Sequence, residues 1–314
     1  LGKATDTRPG SDGSYSALIT AGKVFTVVNN GTFTNGRLKA GSMSAANTGN
    51  HSEMDASSTA TDNNGDKFYM ELNAEPDVLD FWLKFTPAGN VAAYPYASAS
   101  AVAFDPTISS YYQDPEDSTY TNVAAYAKNA TIASCGWTEF SVPFDYDSVA
   151  SNNATAKAIL ITFGTNATPG KGTSGDKVWV DDISLIYYAD FSNIVGNGGL
   201  TLPAFSTGTH HYTVTYEGDP ISLSEANFTA TAVGRSAITV TNVEDLGNGS
   251  YRVAIGAATP DLKTANLYTY DILRTQPLSE VIANDADFVN IADQLSVVFG
   301  DADESIIYVT DGNG

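Results

Sequence analysis

The 314-residue chain contains a single cysteine, Cys135, and only three histidines, His51, His210 and His211. One cysteine excludes an internal disulfide and a cysteine-based zinc cluster. The histidines match no HExxH-type or other metal-ligand spacing, and the sequence has no GxSxG elbow, Walker loop or dinucleotide fingerprint. No apolar run reaches about 18 residues, so we expect no transmembrane segment.

Basic residues are also scarce. The chain has 15 lysines and arginines against 36 aspartates and glutamates, which gives a net charge of −21 at pH 7. A surface of this sign repels phosphate backbones and anionic lipid headgroups. We therefore expect no nucleic-acid partner.

Convincing helical periodicity is missing as well, since no stretch longer than about ten residues repeats its apolar positions every 3.6 residues. Short runs of strand-forming residues instead alternate with clusters of Gly, Asn, Asp and Pro, as turns require. This pattern predicts an all-β fold and, from Ser14 to Tyr188, a jelly-roll β-sandwich. The clearest runs are 22–29, 67–72, 78–85, 137–144 and 158–163.

A second unit is predicted from Ala189 onward, where alternation of apolar and polar residues becomes cleaner. The Gly247-Asn248-Gly249 sequence before Tyr251 is a hairpin signal, and five such runs suit a smaller immunoglobulin-like sandwich. We therefore predict domains at 1–188 and 189–275. Residues 276–314 are too few to bury a core of their own, so they form either a tail or the start of a further domain.

Two adjacent carboxylates, Asp181 and Asp182, interrupt the apolar run GDKVWVDDISLIYY at 175–188. By strand alternation Asp181 shares a face with Trp179 and Leu185, where an acid needs compensation. A structural Ca²⁺ ion bound by Asp181 and Asp182 is one hypothesis. The alternative is that both carboxylates accept backbone N–H bonds and fix a bulge or turn.

Tyrosines that lie next to acidic residues in loop-like sequence are candidates for binding a carbohydrate. The C–H face of a sugar stacks on aromatic rings while acids and amides bind its hydroxyls. The alternative is that these tyrosines cover the rim of the core. The predicted ligand-binding residues are Tyr94, Tyr96, Tyr111, Tyr112, Tyr120 and Asp114.

Glycoside hydrolysis would need two carboxylates about 5–10 Å apart. The strand-borne candidates are Glu71 and Glu139, and the alternative is that both are solvated acids on outer faces. No set of residues argues for an enzyme, so we predict no catalytic residues.

Four segments together resemble the PCMD family of carbohydrate-metabolism domains, over roughly residues 10–188. The segments are FWLKFTP at 81–87, GWTEFSVPFDY at 136–146, AILITFGTN at 158–166 and PGKGTSGDKVWVDDISLIYY at 169–188. The resemblance implies a jelly roll related to galactose-binding-like modules, found in surface lipoproteins of gut anaerobic bacteria. The segment 189–273 is similar to the immunoglobulin- or cadherin-like sandwich that follows in such proteins.

The resemblance implies a surface glycan-handling accessory protein. With the closing strand of the jelly roll, the tyrosines in loop-like sequence and the missing catalytic spacing, our hypothesis is a non-catalytic carbohydrate-binding protein that captures oligo- or polysaccharides. We expect a monomer at the bacterial cell surface, on the outer membrane or in the periplasm, secreted and with a lipid anchor upstream of this chain. Two alternatives stay open: an adhesion or scaffold protein that binds a protein partner, and a glycoside hydrolase.

Overall fold

The computed structural model of the protein describes residues 1–89 and 92–275, and the backbone of two later strands at 296–299 and 307–310. It confirms the all-β fold, because strands dominate and the described residues contain only two short 3₁₀ turns, at Asp147–Asn152 and Glu225–Asn227. Within this described part, no helix has the length and hydrophobicity to cross a membrane.

The chain divides into two compact units. The first comprises residues 1–190, 232–237 and 258–265, and the second comprises 191–231, 238–257 and 266–314. The strands of the first unit are β1 (Gly2–Ala4), β2 (Ser16–Thr20), β3 (Gly22–Val24), β4 (Val27–Asn29), β5 (Thr32–Thr34), β6 (Arg37–Ala40), β7 (Asn50–Asp55), β8 (Met70–Glu71), β9 (Val78–Thr86), β10 (Ala97–Phe104), β11 (Tyr111–Asp114), β12 (Val123–Ile132), β13 (Cys135–Pro143), β14 (Ala158–Gly164) and β15 (Lys177–Ile186).

Two sheets form the sandwich of the first unit. The first sheet has the order β1-β2-β15-β9-β13, and the second has the order β12-β10-β14-β5, with β8 pairing the start of β14. Strand alternation turns Phe81 and Phe85 of β9 inward from the first sheet, and Ala99 and Ala101 of β10 inward from the second. The alanines leave room for the large rings of the opposite sheet, and both sets of side chains belong to one buried cluster.

A third sheet, here called the cover sheet, has the order β11-β7-β6. Its Met54 and Tyr112 pack against Val102, Phe104 and Leu160 on the outer face of the second sheet, and all five side chains are buried. The cover sheet therefore buries one half of that outer face.

Up to residue 275, the second unit contains a two-stranded and a four-stranded sheet. Its strands are β16 (Phe191–Gly196), β17 (His211–Tyr216), β18 (Phe228–Ala232), β19 (Ala237–Gly247), β20 (Ser250–Ala258) and β21 (Ala265–Arg274), in the orders β16-β18 and β17-β21-β20-β19. The predicted hairpin is present, since Asn248 and Gly249 join β19 to β20 with positive φ angles of 53° and 81°. Asn-Gly is favoured in such a turn because both positions need this conformation.

The prediction for 276–314 lies outside the described residues, except for β22 (Ser296–Phe299) and β23 (Ile307–Thr310). These two strands pair with each other in antiparallel orientation.

An ion pair between a buried carboxylate and an exposed lysine fixes the end of β10. Asp105 accepts hydrogen bonds from Lys157 Nζ at 2.8 Å and from the backbone N–H of Thr107 at 2.9 Å. Burial alone would raise the pKa of Asp105, but Lys157 and Thr107 outweigh burial and lower this pKa to about 2.

We expect this carboxylate to stabilise the fold in a defined pH range. Because the pKa of Asp105 lies below its usual value near 3.8, its contribution of about 2 kcal/mol is present above pH ~4 and is lost as the pH falls toward ~2. Urea unfolding of wild type and Asp105→Asn at pH 6 and pH 2.5 measures the difference. A difference of equal size at both pH values would contradict the assignment.

Candidate functional site

The uncovered half of the second sheet carries a row of polar side chains. Strand register places Lys128, Ser100, Thr162 and Thr34 side by side across β12, β10, β14 and β5. The hydroxyl of Thr162 donates to Thr34 Oγ1 at 3.2 Å. The next row along the sheet contains Val102, and the cover sheet buries that row.

A second row follows, with Ser98 opposite Gly164 and Gly164 opposite Thr32. Ser98 and Thr32 are partly exposed, whereas Gly164 between them is buried, and a side chain there would meet Ser98 Oγ. The hydroxyls of the two rows can donate and accept hydrogen bonds. We call this surface the open face; its residues are Thr32, Thr34, Ser98, Ser100 and Thr162.

Asp114 stands at the boundary between the open face and the cover sheet. Ser100 Oγ donates to Asp114 Oδ2 at 2.7 Å, which links a floor residue to the end of β11. The side chain of Asp114 is partly exposed. It can therefore accept a further hydrogen bond from a ligand on the open face.

Glu116 is held beside the same boundary by two phenols. Its Oε1 accepts from Tyr126 at 2.6 Å and from Tyr112 at 2.9 Å, and Lys128 Nζ lies 3.9 Å away. Burial, and then the nearby carboxylates, raise the pKa of both tyrosines, so they remain donors at neutral pH. All three contacts use Oε1, which leaves the acceptor capacity of Oε2 for a ligand.

Two predicted tyrosines precede β10. Tyr96 continues the outward alternation of Ser98 and Ser100 and is 41% exposed. Tyr94 lies under Lys171, whose Nζ is 5.0 Å from the centroid of its ring. At about 3.3 Å per strand residue, Tyr96 is about 13 Å along β10 from Ser100. The open face thus has an aromatic side chain at one end and carboxylates at the other.

The other three predicted tyrosines form a separate group on the cover sheet. Tyr112 is fully buried and stacks on Phe104 at 6.2 Å between ring centroids, so its ring belongs to the core and is closed to a ligand. The phenol of Tyr111 donates to Gln113 at 2.9 Å, and burial together with Glu53 raises its pKa to about 12. Tyr120 packs edge-on against Tyr112, with ring centroids 5.0 Å apart.

The two acids predicted to bind calcium both contact Arg8. Arg8 Nε forms an ion pair with Asp182, and the backbone N–H of Arg8 donates to Asp181 Oδ2 at 3.2 Å. A β-bulge follows Asp181 in its pairing with β9, and Asp182 has a φ of 44°. Among the described residues, no group of three or more His, Cys, Asp or Glu is arranged to hold a metal ion. Asp181 accepts backbone N–H bonds at the bulge, as the second alternative expects, whereas Asp182 binds a guanidinium; the calcium hypothesis stays a prediction.

The bulge also corrects the predicted face of this strand. Asp181 lies opposite Trp82 on the outer face with Trp179, as alternation predicts, but Leu185 lies opposite the buried Leu79 and packs against the core. The extra residue in the bulge exchanges the two faces beyond it.

The two candidate acids for glycoside hydrolysis lie on different sheets. Glu71 is in β8 beside the second sheet and forms an ion pair with Lys67 at 2.8 Å, whereas Glu139 is in β13 of the first sheet. Both are exposed. They cannot flank a single sugar ring, because the two sheets of the sandwich separate them.

A shallow pocket also opens on the polar face of the cover sheet, but its cations have partners within the chain. Arg37 lies over the ring of Phe68 at 4.9 Å and 3.8 Å from Glu53, and Lys67 pairs with Glu71. A ligand there would have to replace these contacts, which makes the open face the better candidate.

No known protein family matches the sequence, and a search of curated proteins finds no match. The resemblance to the PCMD family therefore stays a prediction.

Among solved structures, the chain is similar to two proteins described as a "putative glycoside hydrolase". The one from Bacteroides thetaiotaomicron VPI-5482 has a TM-score of 0.42 and 14% identity over 60% of this chain, and the chain spans 57% of its length. The one from Bacteroides vulgatus ATCC 8482 has a TM-score of 0.40 and 14% identity, covering 57% of this chain and 75% of the other. A non-crystalline cellulose specific carbohydrate-binding module, CBM28, has a TM-score of 0.25 and 12% identity, covering 54% of this chain and 80% of the other.

Proposed function

We propose that the protein binds an oligo- or polysaccharide on the open face and does not cleave it. The observation that carries the proposal is the uncovered floor of Ser and Thr side chains between Tyr96 and the carboxylates of Asp114 and Glu116. Such a surface offers an aromatic ring for stacking, and hydroxyls and carboxylates for hydrogen bonds.

The chemistry of the open face fits sugar hydroxyls in particular. Each hydroxyl is both donor and acceptor, and it can meet a carboxylate oxygen of Asp114 or Glu116 and the ammonium of Lys128 at once. Hydrogen bonds to charged groups are worth about 1.5–3 kcal/mol, more than those between neutral groups. The ring of Tyr96 is exposed and can stack on the C–H face of a sugar.

The acceptors are fixed before a ligand arrives. Ser100 holds Asp114, and Tyr112 and Tyr126 hold Glu116. A preformed site loses less side-chain entropy on binding. Because the face is open and offers a single exposed tyrosine, we expect a Kd on the order of 0.1–1 mM, or about −4 to −5.5 kcal/mol.

Affinity electrophoresis tests the proposal, with hydroxyethyl cellulose, xyloglucan, galactomannan and mucin as separate probes. We expect at least one probe to retard the wild type, and Asp114→Ala to weaken that retardation at least tenfold, because it removes an acceptor fixed by Ser100. Asp12→Ala is the matched control, since it removes the same charge from an exposed position. Thermal melting of both variants shows whether they are folded.

Three results would overturn the proposal. The first is that none of the four probes retards the wild type. The second is that Asp114→Ala is retarded as strongly as the wild type. The third is that the wild type releases reducing ends from the bound probe and Asp114→Ala does not, since the protein would then be a glycoside hydrolase.

A further inference from the structure

All three tryptophans of the chain lie on the outer face of the first sheet, away from the open face. Trp179, Trp82 and Trp137 belong to β15, β9 and β13, which are adjacent strands. Each side chain is half-buried. Neighbouring strands are about 4.8 Å apart, so the three indoles lie near one another on this face, although the paired residues of Trp179 and Trp82 are not tryptophans. This surface is here called the tryptophan platform.

A lysine lies within this platform. Lys84 is directly opposite Trp179, with its Nζ 4.9 Å from the centroid of the indole. The same ammonium is 2.7 Å from Asp6 Oδ2, and the other oxygen of Asp6 accepts from Trp137 Nε1 at 3.0 Å. One carboxylate thus bridges an ammonium and an indole N–H, and both donors lower the pKa of Asp6.

The segment that brings Asp6 to the platform is residues 6–9, here called the strap. Ser16 Oγ of β2 donates to the carbonyl of Asp6 at 2.6 Å and so holds the strap. Arg8 covers the third tryptophan, with its guanidinium 5.4 Å from the centroid of Trp82, and pairs with Asp182. The strap therefore lies across the platform.

We propose that the tryptophan platform is a binding site for the carboxylate of a uronic acid in an acidic polysaccharide, and that Asp6 occupies this site within the chain. The indoles would stack on the C–H faces of the sugar. The sugar carboxylate would take the place of the Asp6 carboxylate between Lys84 and Trp137. This inference stands on the strap contacts and does not rest on the open face.

The strap can be displaced at low free-energy cost. The side chain of Asp6 is 43% exposed, and that of Asp182 is 42% exposed. Ion pairs of this exposure contribute about 0–1 kcal/mol. Replacement of one carboxylate by another also leaves the charge next to Lys84 unchanged. Asp181 and Glu139 lie opposite Trp82 on either side and repel an acidic chain, and this repulsion between exposed charges is screened at 0.15 M salt.

Tryptophan fluorescence tests this proposal. Every tryptophan of the chain lies on the platform, so a change in the emission reports on the platform. Polygalacturonate is titrated at 0.15 M salt into wild type, Asp6→Asn, Lys84→Gln and the control Asp12→Asn, with fully methyl-esterified polygalacturonate and polyglutamate as comparison probes. We expect Asp6→Asn to bind polygalacturonate at least fivefold more tightly than wild type, because a site that a chain segment occupies binds more weakly.

The other outcomes are equally specific. Lys84→Gln should bind at least tenfold more weakly than Asp6→Asn, Asp12→Asn and Asp114→Ala should match the wild type, and the methyl ester should leave the emission unchanged. The proposal is overturned if polygalacturonate leaves the emission of Asp6→Asn unchanged, if the methyl ester binds as well as the acid, or if polyglutamate binds as well as polygalacturonate. Failure of this test does not bear on the open face, because the electrophoresis of the open face uses other polysaccharides as probes.

Discussion

A Tyr112→Ala variant is expected to lose about 3–5 kcal/mol of the free energy of unfolding. The ring of Tyr112 is fully buried under the cover sheet, stacked on Phe104 and packed against Tyr120. Its removal leaves a cavity that the sheets on either side cannot close. Urea unfolding at pH 7 measures the change.

Two further variants serve as comparisons for the free energy of unfolding. One removes only the hydroxyl of Tyr112, and the other removes the exposed ring of Tyr96. Tyr112→Phe keeps the ring and removes only the hydrogen bond to Glu116, so we expect a loss of about 1 kcal/mol. Tyr96→Ala removes an exposed ring, and the free energy of unfolding should change by less than about 0.5 kcal/mol. If Tyr112→Ala were as stable as Tyr96→Ala, the assignment of Tyr112 to the core would be wrong.

Thr162→Phe is expected to weaken glycan binding about 100-fold, or about 2.7 kcal/mol. Thr162 lies on the central strand of the open face, next to Ser100 and Thr34. A phenyl ring there fills the space above the floor without entering the core, and Phe is well accepted in strands. The free energy of unfolding should therefore change little.

The matched control is Thr213→Phe, which makes the same replacement at an exposed strand position in the second unit. Affinity electrophoresis of both variants against the probe that retards the wild type gives the comparison. Equal retardation of Thr162→Phe and Thr213→Phe would mean that the ligand binds elsewhere.

Local sequence predicts many of the strands well. The run at 78–85 becomes β9 and the run at 158–163 becomes β14, each within one residue, because apolar β-branched and aromatic residues favour a pleated, half-buried surface. The segment of β12 is rich in alanine, a residue that also suits a helix. It is a strand because large rings from the first sheet need small partners, and this requirement is not visible within the segment itself.

The candidate site was less predictable because it depends on strand order. Residues 34, 100, 128 and 162 are far apart in sequence and form one row only through the pairing of β12, β10, β14 and β5. One local signal exists: Ala and Ser alternate in the ASASA sequence at 97–101, which indicates a strand with a small, polar outer face. No local signal shows that Tyr96 is exposed to a ligand while Tyr112 is buried in the core, since both are tyrosines next to turn residues.

The tryptophan platform also follows from pairing. Each tryptophan lies in a separate strand, and the segment that covers them is at the other end of the domain sequence, at Asp6 and Arg8. A two-residue alternation can assign each tryptophan to a face, but it cannot show that the three strands are neighbours.

Amide chemical-shift mapping with the glycan that retards the wild type tests the central claim most directly. If the ligand binds the open face, the largest shifts fall on Ser98, Ser100, Asp114 and Thr162, and the indole N–H signals of the three tryptophans stay unchanged. Large shifts confined to another surface, with these four amides unmoved at saturating glycan, would contradict the proposed site.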